Sequence, residues 1–150
     1  MREYLFRGKT ECKEWVYGFY HNETSIESSS SDRKVTRHHI YTQDFDKFVK
    51  PETVGQFAGL TIKGVKAFEG DIVKGLFLHG SAILGVIAFQ DGAFGLAWKR
   101  GNIDEFSPFP CMCNVNYEII GNIYDNPELL NNNVLTSADD NDDDLEWWQK

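Results

Sequence analysis

The chain has 150 residues, among them 11 Phe, 6 Tyr and 4 Trp, and a formal net charge of −8. That length suits one domain, or one domain with an appendage, and can bury a core; the aromatic surplus favours strands over a helical bundle, because such side chains fit a pleated, half-buried surface. Six acids and one lysine in Thr136–Lys150 carry −5 of the charge and leave the body at −3, so neither part has the cationic surface that neutralises a nucleic-acid backbone.

Taken in order, Arg2 to Arg7 alternates loosely, with Tyr4 and Phe6 on one side, and Gly8-Lys9-Thr10 breaks it. Glu14 to Tyr20 (EWVYGFY) is the next strand, spaced as a hairpin partner but joined by a loop without a clear turn dipeptide. Trp15, Tyr17 and Phe19 then share one strand face, and Val16 and Tyr20 the other. The aromatic row suits packing or an interface better than base stacking, since no basic residue interleaves with it along the chain. His21 to Asp32 (HNETSIESSSSD) is polar and Ser-rich, which predicts a mobile loop or hairpin tip. Arg33 to Ile40 carries the one basic cluster (Arg33, Lys34, Arg37, His38, His39), read as the solvated face of a strand balanced by Asp44 and Asp46.

Phe45, Phe48 and Val49 stand at helical spacing in a segment that stops at Pro51. A short helix is expected near residues 51–57, kept short by Pro51 and Gly55, and Lys63-Gly64 is a turn. From Phe68 to Gly92 the pattern reads strand, loop, strand, two-residue hairpin and third strand. Gly70 supplies the positive φ of a turn, Asp71 bonds a nearby amide, and Asp91-Gly92 has the composition of a hairpin apex. Another turn is expected at Lys99 to Asn102. The prolines of Ser107-Pro108-Phe109-Pro110 exclude a central strand. Tyr117 to Tyr124 is the clearest late strand, and Asn126-Pro127 caps a helical turn at 127–131. The acidic stretch 132–150, with Trp147 and Trp148, has the composition of a flexible tail or a short docking motif.

The chain contains no Gly-rich phosphate loop, dinucleotide fingerprint, His-Glu-x-x-His or nucleophile elbow. Glu69 and Asp71, two apart in an extended chain, could serve as a general acid and base or hold a cation, but turn chemistry accounts for them. A zinc site from Cys12, Cys111, Cys113 and the His38-His39 pair matches no usual ligand spacing, so no metal and no cofactor are expected. The N-terminus lacks the apolar core of a secretory signal, and no run approaches the ~18 apolar residues of a membrane span. Three cysteines make an odd count, read as reduced thiols in a cytoplasmic protein.

Three blocks together resemble the YopX family of small phage and prophage proteins. They are Arg2–Arg7 with Trp15–Tyr20; Pro51–Leu60 running into Phe68–Val73; and Tyr117–Leu130 (YEIIGNIYDNPELL). They come in the family's order and cover most of residues 1–130, although the linker Thr61–Ala67 is shorter than usual and the Ser-rich loop and acidic tail depart from the pattern. The resemblance implies a phage- or prophage-encoded, mostly β protein with a small SH3-like barrel, and carries over no activity and no functional residue.

The expected architecture is therefore an N-terminal β region (1–60) packed on a strongly bent barrel (61–131, its strands from about residue 60 to 125), with one or two short helices and the tail 132–150. The expected role is a non-enzymatic protein-binding or assembly module in the cytoplasm of a host bacterium, engaging a protein partner or itself, without membrane. Its candidate interaction residues are Trp15, Tyr17, Phe19, Arg33, Lys34, Arg37, Trp147 and Trp148. Two alternatives stand beside it: a single-stranded nucleic-acid-binding barrel using Arg33, Lys34, Arg37 and the Trp15 face, disfavoured by charge, and a small hydrolase using Glu69, Asp71 and His79.

Overall fold

Strand pairing organises most of the described residues, and the few helical residues among them form single turns. The structure, a computed structural model, describes residues 3–27, 33–77, 82–100, 103–109 and 115–131. The tail with Trp147 and Trp148, together with His79, Cys111 and Cys113, lies outside the described residues. No helix among the described residues is long and apolar enough to cross a membrane. The chain divides into two compact units, Met1–Phe57 and Ala58–Lys150.

The first unit is an antiparallel sheet. Strand β1 (Phe6–Lys9) pairs with β2 (Trp15–Glu27), β2 with β3 (Arg33–Tyr41), and β3 with β4 (Asp46–Phe48). On its other side β1 pairs with the start of β5 (Gly55–Ile62), Phe6 opposite Gln56 and Arg7 opposite Gly55. Four sequence expectations change here. Gly8 does not end the first strand: it lies within β1, where a Cβ would meet Ile40 and Val49 at 3.0 Å. The break comes at Thr10–Glu14, with Lys13 in the left-handed region at φ 64°.

The polar run His21–Glu27 is strand, not loop, because every residue has a cross-strand partner in β3. Glu23 faces Arg37, and the Thr24 and Thr36 hydroxyls lie 3.0 Å apart; opposite charges and paired hydroxyls stabilise a ribbon without apolar burial. Residues 46–48 pair with β3 rather than coil, and the helix expected over 51–57 is only a 3₁₀ turn, Pro51–Thr53, followed at once by β5. The small core is Val16, Ile40 and Val49, with Phe6, Tyr20 and Val54 against it.

In the second unit β5 turns back at Lys63-Gly64 into β6 (Val65–Phe68), both turn residues having positive φ. A five-stranded antiparallel sheet follows, in the order β10-β9-β8-β7-β11. Its strands are β7 (Asp71–Phe77), β8 (Ala82–Gln90), β9 (Ala93–Arg100), β10 (Ile103–Pro108) and β11 (Val115–Asn122). The Asp91-Gly92 hairpin is as expected: Gln90 pairs with Ala93, and the two turn residues have φ 50° and 82°. Strand β9 runs through Lys99 and Arg100, which were expected to turn. Pro108 is the last residue of β10, which among the described residues has a neighbour on one side only; proline stays out of a central strand, as expected, and an edge tolerates the missing donor. By these pairings the sheet is open, with β10 and β11 at its edges; the closed ring of an SH3-type barrel is not formed among the described residues.

Both faces of the central strands are covered. On one, Val73, Ile83, Ile87, Phe94 and Leu96 pack with Ile62 and Ala67 of the β5–β6 hairpin. On the other, Ile72, Leu84 and Val86 pack with Leu130 of the single-turn helix α1 (Glu128–Asn131). The turn at Gly70 (φ 84°) joins the layers: its N–H donates to the Ile87 carbonyl and its own carbonyl accepts from Ile123, both at 2.9 Å.

Tyr117 gives a stability test for this packing. Its hydroxyl is buried without a hydrogen-bond partner, and burial pushes the phenol up to about 12 from 10.0. Below pH 10 both folded and unfolded phenol are protonated. As pH rises from 10 towards 12 the unfolded phenol ionises first, so this contribution to stability falls across that window. Tyr117→Phe should abolish that part of the alkaline loss. At neutral pH it should be neutral or stabilising by up to ~1 kcal/mol, since it deletes an unsatisfied polar group. Urea midpoints at pH 8 and pH 11 for both proteins check this; parallel losses in the two would contradict it.

Candidate functional site

The first unit's sheet gathers one set of side chains on one face by simple alternation, most of them exposed and Arg7 and His39 buried. On β1 these are Arg7 and Lys9; on β2 Trp15, Tyr17, Phe19 and His21; on β3 His39 and Tyr41; on β4 Asp46 and Phe48. Tyr17 (48%), Phe19 (67%), Tyr41 (53%) and Phe48 (60%) are all well exposed, and Phe19 stands directly opposite Tyr41. The expected split of Trp15, Tyr17 and Phe19 from Val16 and Tyr20 is what the strand shows. Basic residues do reach the row, however. Pairing of β1 with β2 sets the Arg7 guanidinium 4.8 Å and the Lys9 ammonium 5.6 Å from the Trp15 ring centre, cation–π contacts that no reading along the chain could find.

At the β3–β4 end of this face three polar groups converge. His21 pairs across the strands with His39, and their rings stack at 4.7 Å and 17°. His39 is buried, with Phe48 on its other neighbour strand at a ring distance of 4.4 Å. Its Nδ1 lies 3.0 Å from Asp46 Oδ2, and His21 Nε2 lies 3.8 Å from the same oxygen. His39 Nε2 is buried and has no hydrogen-bond partner. His38 points to the opposite face, where its Nδ1 meets the Tyr20 hydroxyl at 2.6 Å. The adjacent His38-His39 pair therefore cannot act as one ligand set.

The remaining sequence candidates are scattered. Arg33, Lys34 and Arg37 sit towards the far end of the β2–β3 hairpin. Arg37 is opposite Glu23, eight residues along β2 from Trp15, or about 26 Å at strand rise. Arg37 also donates to the Ser25 hydroxyl at 2.9 Å. Arg33 and Lys34, as neighbours in a strand, project to opposite faces. By strand alternation Arg33 and Arg37 share the face of Trp15, Tyr17 and Phe19 but stand towards its far end, and Lys34 is on the opposite face. Asp71 is buried, and its Oδ2 accepts the Phe68 N–H at 2.8 Å, so it closes the turn in which Glu69 stands. Cys12 is exposed and forms no disulfide with a described residue.

Comparison with protein families matches residues 5–131 to the YopX protein model. Nothing among the curated proteins matches the chain.

Proposed function

The chain belongs to the YopX family, and on that premise we propose that it is a non-enzymatic protein-binding or assembly module that docks a second copy of itself through the aromatic face of β2–β4. The observation that carries this reading is the contiguous row Tyr17, Phe19, Tyr41 and Phe48, each about half exposed or more on one side of a sheet. Exposed aromatic surface of this kind costs solubility unless it is covered, and aromatic side chains are enriched at the centres of interfaces. A two-fold assembly places the same patch on both partners, so Phe19 and Tyr41 supply both sides of the contact. The Asp71 turn bond supports the non-enzymatic part, because a carboxylate engaged by its own backbone is a poor general base. In this reading the β5–β11 unit is an opened relative of the SH3-like barrel, unclosed between β10 and β11, with the β5–β6 hairpin packed on one face of its sheet. An exposed thiol at Cys12 suits the reducing cytoplasm of a host bacterium, and a phage or prophage origin completes the proposal.

Sedimentation velocity over a concentration series tests it. The wild-type chain should shift to a dimer or larger species at micromolar concentration. Phe19→Asp and Tyr41→Lys should remain monomeric with little change in thermal melting, both side chains being exposed and Tyr41 standing opposite Asp46. A wild-type monomer throughout the series, or equal assembly in the two variants, would overturn the proposal.

A further inference from the structure

The geometry points to a divalent transition-metal site, of the kind that takes zinc, cobalt or nickel, made by His21, His39 and Asp46 on three successive strands. Cross-strand register builds it: His21 faces His39, and Asp46 lies two residues from Phe48, the partner of His39, on the same face. One ligand atom from each residue falls within 4.8 Å of the others, with individual separations of 3.0 Å and 3.8 Å to Asp46 Oδ2. A tetrahedral ion with bonds near 2.1 Å holds its ligands about 3.4 Å apart, so these distances bracket what an ion requires. Two imidazoles and one carboxylate are borderline and hard donors, the set that suits zinc and its neighbours rather than calcium or magnesium.

Packing assigns the parts. His39, 5% exposed, is held between the His21 ring and the Phe48 ring and acts as the fixed ligand. The His21 and Asp46 side chains, 49% and 43% exposed, can shift to close the set around an ion. Only one hydrogen bond joins the three groups, His39 Nδ1 with Asp46; the 3.8 Å from His21 to the same oxygen is too long for one. An ion takes the place of the proton on His39 Nδ1, and that proton moves to Nε2. Nε2 is buried and without a hydrogen-bond partner, so this N–H is uncompensated and restrains affinity. Three protein ligands leave a fourth position on the solvent side for water or a side chain of a docked protein.

The test uses the full chain stripped with chelator and titrated calorimetrically with Zn²⁺, and with Co²⁺ while the visible absorption of tetrahedral cobalt is followed. One ion per chain is expected, with displacement of Co²⁺ by Zn²⁺. Zinc should also shift the ring nitrogen resonances of His21 and His39 but leave those of His38 in place. His21→Ala and Asp46→Asn, both at exposed side chains, should each weaken binding by about tenfold or more while the stripped protein keeps its strand content by circular dichroism, whereas Cys12→Ser should bind as the wild type does. Absence of stoichiometric binding, or binding that persists unchanged in His21→Ala and Asp46→Asn, would overturn the proposal.

Discussion

Gly18→Ala is expected to destabilise the first unit by about 3 kcal/mol or more, at the upper end of overpacking costs, and Gly18→Val to prevent its sheet from forming. Gly18 is the point where β2 passes from one partner to the next: it pairs with Phe6 of β1, while Phe19 already pairs with Tyr41 of β3. A Cβ there would fall inside the Tyr41 carbonyl oxygen, 2.7 Å from the Tyr41 carbonyl carbon and 3.1 Å from Ile40 Cγ2. The obstacle is backbone, which is anchored by its own ladder and cannot rotate aside as a side chain would. Displacing Tyr41 shifts the β2–β3 register, so Phe19–Tyr41 and His21–His39 separate together. Urea unfolding by circular dichroism, with amide exchange in β2 and β3, reads the loss, and zinc titration reads the effect on the histidine pair. An unchanged midpoint in Gly18→Ala would show that β2 and β3 do not approach this closely.

Leu96→Ala should cost the second unit about 2–5 kcal/mol, the range for deleting a fully buried leucine. Leu96 is 0% exposed on β9, opposite Ile87, within the cluster that includes Val73, Phe94 and the hairpin residues Ile62 and Ala67. The cavity left behind is lined by residues fixed in paired strands, so relaxation can fill little of it. Val65→Ala, at a position 56% exposed in β6, provides the contrast and should stay within about 0.5 kcal/mol of the wild type. Given a total stability of about 5–15 kcal/mol for a native domain, Leu96→Ala should be visible as a large fall in urea midpoint and as faster exchange of the β8 and β9 amides. Equal effects of the two substitutions would contradict the assignment of this core.

The sequence by itself determined the strand-rich class, the family and the tight turns. Positive φ at Asp91-Gly92 and Lys63-Gly64 and the bond from the Phe68 N–H to Asp71 follow from local chemistry that neighbouring residues supply. The face shared by Trp15, Tyr17 and Phe19 follows from the period of a strand. What tertiary structure decided are the features that depend on residues far apart in the chain. The polar run His21–Glu27 becomes strand because β3 offers matching charges and hydroxyls. The helical spacing of Phe45, Phe48 and Val49 yields to pairing with β3. Arg7 and Lys9 reach Trp15 only through the β1–β2 ladder. His21 and His39, 18 residues apart in the sequence, meet because a 13-residue strand folds back in one register. A slip of one residue would turn every one of these side chains to the opposite face; register, a property of the folded ladder and not of any local segment, is what creates the site.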